Sequence, residues 1–193
     1  MKKILLPLFA AGVFAMPSLA QASSNPYISA SGGLGLQNHS NVNNIDDAIV
    51  YKAGFVTSGA LGLRDNNVRL EAEVGYHSTI VDNALINIGD AKLAIWTYMA
   101  NGYYDIAMNN PSVTPYIMAG LGMSDATLSD GNVGSQSSNQ FTWQVGGGFG
   151  IKASDKVTID IGYRYLSPSD GHFDGATVSL SSHNIMGGLR YAF

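Results

Sequence analysis

The stretch VRLEAEVGYH, residues 68–77, alternates without a break. Val68, Leu70, Ala72, Val74 and Tyr76 form one apolar set, while Arg69, Glu71, Glu73, Gly75 and His77 form a second, polar set. A period of two puts the sets on opposite faces of an extended strand, whereas a helix would scatter both around its circumference. Residues 157–166 repeat the pattern: Val157, Ile159, Ile161, Tyr163 and Tyr165 oppose Thr158, Asp160, Gly162, Arg164 and Leu166. Residues 141–152 do so again, with Phe141, Trp143, Val145, Phe149 and Ile151 against Thr142, Gln144, Gly146, Gly148 and Lys152.

Working outward, five softer segments share the period: residues 27–36, 53–64, 91–106, 113–124 and 180–193. In 91–106 the facing is open by one residue. The total is eight strands, each near the ~9–11 residues that cross a bilayer at a tilt. Short links rich in Asn, Asp, Pro or Ser fall at 65–67, 107–112 and 153–156, and long polar links at 37–52, 78–90, 125–139 and 167–179. Short turns alternating with long loops are the pattern of an up-and-down barrel with turns on the periplasmic side and loops outside.

The chain starts with Lys2 and Lys3, an apolar run at 4–16, and Ser18-Leu19-Ala20-Gln21-Ala22. This is the form of a secretory leader, too short for a membrane helix, with Ala20 and Ala22 as the small residues before the cut. Residues 1–22 are therefore expected to be removed, leaving one barrel domain at 23–193, exported to the outer membrane of a Gram-negative cell. The sequence has no cysteine, so packing or lipid must supply its stability. Without Lys2 and Lys3 the 14 acidic residues clearly exceed the basic ones, which argues against a nucleic-acid partner. Charged residues make up 12% of the chain, about half the usual fraction for a soluble domain.

Alternation alone is also compatible with a soluble barrel whose apolar face points inward. Two features favour lipid outside. The polar face is mostly glycine with scattered charges, which suits a narrow filled lumen. The aromatics also fall at two heights: Phe55, Tyr76, Trp96, Tyr98, Phe141, Trp143, Tyr163 and Tyr165 near the outer end, and Tyr104, Tyr191 and Phe193 near the periplasmic end. Two aromatic belts mark the two interfaces of a bilayer.

Several segments resemble a known family. MANGYYD (99–105), TPYIMAGLG (114–122), FTWQVGGGFGIKASDKVTIDIGYRYL (141–166) and HNIMGGLRYAF (183–193) are similar to the opacity-protein and rickettsial-type surface-antigen barrels, neighbours of the OmpA and OmpX groups. The resemblance implies an eight-stranded outer-membrane barrel whose Tyr191 and terminal Phe193 are presented to the barrel-assembly machinery. It implies a surface protein, with adhesion as the family-level role. In OmpA a peptidoglycan-binding domain follows the barrel; here the sequence stops at Phe193, and that tether is not expected.

The lumen face is expected to carry Arg69, Glu71, Glu73, Asp105, Gln144, Lys152, Asp160, Arg164 and Arg190. Glu71 and Glu73 lie on one face of one strand, a placement compatible with acid–base chemistry. An internal salt-bridge network is the better reading, because charges out of water must be paired. Such a network would plug the lumen and disfavour a conducting pore. The four histidines make no nucleophile–base–acid set: His77 faces the lumen mouth beside Ser78, His183 faces lipid with Ile185 two residues on, and His39 and His172 sit in loops. Loop aspartates Asp46, Asp47, Asp82, Asp90, Asp125, Asp130, Asp170 and Asp174 lack the spacing of a calcium loop and read as solvated. The glycine groups open no helix, so they are no phosphate loop.

The expectation is thus a non-enzymatic protein without cofactor or metal, held in outer-membrane lipid. Its loops would meet a host-cell or matrix surface. The alternative is a structural envelope barrel with no ligand; a lipid-modifying enzyme or a small channel ranks below both.

Overall fold

The computed structural model describes residues 25–193 apart from 38–39, 43–44, 52, 85–91, 110–111, 131–132, 170, 174–175 and 179–180. The expected leader at 1–22, with Ala20 and Ala22, lies outside the described residues, as do the side chains of His39, Asp46, Asp47, Asp82, Asp90, Asp130, Asp170, His172 and Asp174. The described strands are β1 (Asn25–Gln37), β2 (Ser40–Val42), β3 (Ile45–Tyr51), β4 (Gly54–Asp65), β5 (Val68–Ala84), β6 (Lys92–Asp105), β7 (Val113–Asp130), β8 (Val133–Lys152), β9 (Val157–Pro168), β10 (Gly171–Phe173), β11 (Ala176–Val178) and β12 (Ser182–Ala192).

Eight of them, β1, β4 to β9 and β12, form a closed antiparallel barrel. β1 pairs with β4 on one side and returns to β12 on the other, from Tyr27↔Ala192 to Gln37↔Ser182. Closure leaves the wall without an edge, which in hydrocarbon would leave rows of unpaired N–H and C=O groups. The short-turn rim is tied as well: Ala153 N–H donates to the Val157 carbonyl at 2.9 Å and Ala192 N–H to the Lys156 carbonyl at 2.8 Å. Asn66, with φ of 51°, makes the tight β4–β5 turn, a left-handed conformation that Asn tolerates better than most residues.

Register sets the barrel's width. From Tyr27, successive paired residues run through Gly62, Glu71, Asn101, Gly120, Gln144, Leu166 and Ser182, and the path re-enters β1 at Gln37. An offset of about ten residues over eight strands corresponds to a tilt of roughly 40° and a lumen just wide enough for side chains to fill.

Burial is inverted relative to a soluble protein. The buried set includes Arg69, Glu71, Glu73, Asn101, Asp105, Gln144 and Arg190, while Leu34, Leu61, Ile117, Phe149, Ile185 and Leu189 are exposed. An apolar surface that encircles the molecule needs lipid around it. The facing of β6 is also fixed: Trp96, Tyr98 and Tyr104 point outward and Ile95, Thr97, Met99, Asn101, Tyr103 and Asp105 inward.

The long links depart from expectation, because much of them is strand. β7 and β8 stay paired past Ser124↔Gln140 up to Asp130↔Val133. The first link carries β2 and β3, where Ser40↔Ile49 continues the β1–β4 register, and β3 packs along the upper part of β5. The last link holds the β10–β11 hairpin. Strands already held in register by the barrel extend at little further cost. In β8 polar residues stand at both parities through 135–139, so no alternation betrays that extension in the sequence.

Candidate functional site: the lumen and the outer hairpins

Strand alternation delivers most of the charged side chains of the wall to one interior, and register decides which of them meet. Arg69 of β5 approaches Asp105 of β6 with Nε 3.0 Å and Nη2 2.9 Å from Oδ1. The Nε contact is the aligned hydrogen bond; the Nη2 approach is electrostatic. Arg69 Nη1 also lies 3.8 Å from Glu71 Oε1, which accepts from Tyr27 Oη at 2.8 Å. The guanidinium carbon of Arg69 stands 4.2 Å from the Tyr103 ring centre and 5.0 Å from that of Tyr116. Arg69 is thereby enclosed by carboxylates in plane and aromatic faces on its flanks, the environment a desolvated guanidinium requires.

One layer outward, Arg164 of β9 reaches Glu73 of β5 at 2.6 Å and donates to Tyr103 Oη at 3.1 Å. Gln144 Nε2 donates to Asn101 Oδ1 at 2.7 Å and lies 3.4 Å from Glu73 Oε1. One layer toward the turns, Arg190 pairs with Asp160 at 3.1 Å, and Arg64 reaches Asp105 Oδ2 at 3.3 Å. The buried Arg69, Arg164 and Arg190, with Arg64 reaching in from the exposed rim, thus face the four carboxylates Glu71, Glu73, Asp105 and Asp160. Each buried charge thereby has an opposite partner.

Lys152 is a correction. It was expected in the lumen network but lies at the rim, about half exposed, and pairs with Asp155 of the β8–β9 turn at 2.8 Å. The lumen has run out at that height, so a long amine turns to water. Three interior members were not foreseen as such, Tyr27, Asn101 and Tyr103, nor was Arg64, which reaches in from the rim. Asn101 and Tyr103 share the parity of Asp105, a usable signal once that aspartate is placed inside; the reach of Tyr27 and Arg64 to other strands depends on register.

Glycine makes the packing possible. A Cβ on Gly162 would stand 2.5 Å from Tyr116 Oη, and one on Gly148 2.7 Å from the same atom. The interior space beside Arg69, Glu71, Tyr103 and Arg164 is only about 30 Å³, the volume of one water.

On the outer wall the aromatics gather in two rows. Toward the hairpins, Tyr76 and Trp96 have ring centres 5.0 Å apart, Trp143 and Tyr165 5.6 Å apart, and Phe55, Tyr98, Phe141 and Tyr163 lie in the same zone. Toward the turns, Tyr191 and Phe193 are 5.7 Å apart and Tyr104 pairs with Val68 beside the β4–β5 turn. His183 faces outward between Tyr163, to which its Nδ1 is hydrogen-bonded, and Tyr165. His77 is buried in the lumen, and Ser78, one residue on, takes the opposite face. Among the described residues no group of His, Asp and Glu side chains is arranged to hold a metal ion.

The profile of the family described as "Outer membrane protein beta-barrel domain" matches residues 6–193. The chain belongs to that family. As an outer-membrane β-barrel it resides in the outer membrane of a Gram-negative bacterium, in contact with lipid. The outer membrane protein PagN of Salmonella typhimurium is 33% identical to it over 133 residues, which are 58% of this chain and 55% of PagN. The chain therefore spans about half the length of that relative. Among solved structures, Neisserial surface protein A superposes with a TM-score of 0.66 at 20% identity, covering 87% of this chain and 97% of that one. Ail, the attachment invasion locus protein of Yersinia pestis, seen with the heparin analogue sucrose octasulfate, gives 0.50 at 16% identity, covering 86% and 99%. At these identities the likeness establishes the shared barrel fold.

Proposed function

We propose that this outer-membrane barrel is a non-enzymatic surface protein whose outer hairpins adhere to a host-cell or matrix surface. The observation that carries the reading is the continuation of paired strands beyond the outer aromatic row. From Ser124↔Gln140 to Asp130↔Val133 the β7–β8 hairpin climbs on the order of 20 Å along the strand. A rigid scaffold that raises ordered backbone above the lipid is a platform for recognition. The filled lumen supports the same reading, since it leaves no route for a solute. The fold shared with a protein described as an attachment invasion locus protein is consistent with it.

The chemistry of the hairpins narrows the partner. Residues 37–52, 78–90, 125–139 and 167–179 carry eight aspartates and, as their basic residue, Lys52. Such a surface repels polyanions, so the partner is neutral or basic, and a polysulfated ligand such as the heparin analogue seen with Ail is disfavoured.

The test is display of the protein on a non-adherent bacterium beside a version whose four outer connections are cut to short turns. Adherence to host cells or matrix by the full version alone supports adhesion through the hairpins. If neither adheres while both barrels insert, the structural envelope role replaces it. Assembly of either version is expected to use the barrel-assembly machinery, with Tyr191 and Phe193 as the recognised final-strand residues.

A further inference from the structure

The wall is closed at membrane height, but the β7–β8 hairpin outgrows the strand beside it. β9 ends at Pro168, opposite Thr142, and just above that pair the Ser169 N–H donates to the Phe141 carbonyl at 2.7 Å. β8 itself starts at Val133. Among the described residues, β8 beyond Phe141 therefore has β7 on one side and no strand on the other. β7 is itself covered by β6 up to Lys92↔Ser129. The connection that follows β9 does not cover the open side of β8: β10 pairs with β11, and β11 leans toward β2.

Parity identifies the backbone groups on that side. The Phe141 carbonyl accepts from Ser169 and the Ala153 N–H donates to Val157, so odd-numbered residues turn their N–H and C=O toward the β9 side. The Lys152 N–H donates to Ser112, on the β7 side, so even-numbered residues turn to β7. Beyond Phe141 the next odd residues are Asn139 and Ser137, in unbroken register with Asp125 and Thr127 of β7. Their backbone donors and acceptors form an open edge. Natural edges are blunted by lysine, proline or a bulge. Residues 133–140, VGSQSSNQ, contain no proline and no charge, and the register irregularity lies nearer the tip, beyond Leu128↔Gln136.

We propose that this edge of β8 receives an extended polypeptide segment of basic character, which adds as one more strand beyond the membrane. The inference deepens the adhesion reading and rests on it for the source of that strand. Backbone pairing supplies the affinity: a row of alternating donors and acceptors matches the same row on another strand, and a polysaccharide has no such ladder. Charge selects the partner. The edge strand is neutral, while β7 and the connection after β9 carry Asp125, Asp130, Asp170 and Asp174, which favour lysine or arginine in the incoming segment. A second copy of the chain fits less well. Rotation about the membrane normal keeps β8 running the same way in both copies, which prevents an antiparallel two-fold pair, and the aspartates repel.

The experiment uses the chain refolded in detergent micelles and a synthetic peptide, Lys-Thr-Val-Thr-Val-Thr-Val-Lys, as probe. At saturation, amide hydrogen exchange at Ser137 and Asn139 should slow about tenfold or more, while Ser138, turned to β7, changes little. Asn139→Pro removes an edge-facing N–H without touching the β7 ladder, and Kd should rise about tenfold at unchanged folded gel mobility. Asn139→Ala, which keeps the backbone, should bind as wild type does. The proposal is overturned if Ser137 and Asn139 gain no protection, or if a probe with proline at two of its threonines protects them equally. It is also overturned if light scattering shows barrels pairing through this edge without a probe. Displayed on cells, Asn139→Pro should lower adherence toward that of the version with trimmed connections. Adherence kept by Asn139→Pro but lost on trimming overturns strand addition and leaves adhesion standing. Edge protection by the probe in a protein that never adheres supports strand addition and removes adhesion.

Discussion

Glu73 and Arg164 meet at 2.6 Å across the barrel, from β5 and β9, strands that stand on opposite sides of the eight-stranded wall. The pair ties the two halves of the lumen together, and Ser58, Gln144 and Tyr103 complete its hydrogen bonds. Such a contact is local in space and 91 residues apart in sequence.

Breaking this pair on one side leaves a buried charge. Arg164→Met is expected to cost about 3–5 kcal/mol in urea unfolding from lipid vesicles, whereas Glu73→Leu/Arg164→Met recovers most of the loss. Equal urea midpoints for wild type and the single variant would mean that the lumen is hydrated at this level.

Gly162→Ala places a methyl 2.5 Å from Tyr116 Oη but 3.5 Å from Cζ of the same ring. The substitution alone should destabilise by roughly 1–3 kcal/mol through overpacking. With Tyr116→Phe also present the clash with the hydroxyl is gone, and the double variant should lie above the single one in stability. Independent, additive losses would place the interference elsewhere.

Leu61 faces lipid midway along β4. Leu61→Arg is expected to cost about 2–4 kcal/mol, the scale for a cation at mid-bilayer. A neutral result in the same vesicle assay would contradict the assigned facing.

A lumen whose interior space beside Arg69 is about 30 Å³ cannot pass solutes. Planar bilayers holding the purified barrel should remain electrically silent, and reproducible conductance steps would show that the network opens.

The carboxyl of Asp155 lies below the ordinary aspartate range, because the Lys152 amine hydrogen-bonds to it and adds its charge. A depressed folded value means that the pair contributes above the unfolded value of about 3.9 and is lost as pH falls through the lower folded value. NMR titration of the Asp155 carboxylate should show the depression, and Lys152→Ala should abolish it.

Heparin should not compete with adherence of the displayed protein, given the aspartate-rich hairpins. Strong competition would point to a polyanion-binding surface that the composition does not foreshadow.

Period-two alternation in residues 68–77, 141–152 and 157–166 was enough to set strand identity and facing, because side-chain direction in a strand is a property of the residue's own parity. Eight such segments, with short turns alternating with long links, were enough for the barrel and its membrane. The leader's pattern lies outside the described residues and stands as sequence reading alone. Parity does not say how far each strand slides along its neighbour, and that slide determined the rest. The stagger of about ten residues sets the lumen's width. It brings Glu73 to Arg164 and Tyr27 to Glu71, and it ends the lumen short of Lys152. The outer extension of β8 was hidden for a related reason: residues 135–139 are polar at both parities, and pairing begun inside the membrane carries them on as strand.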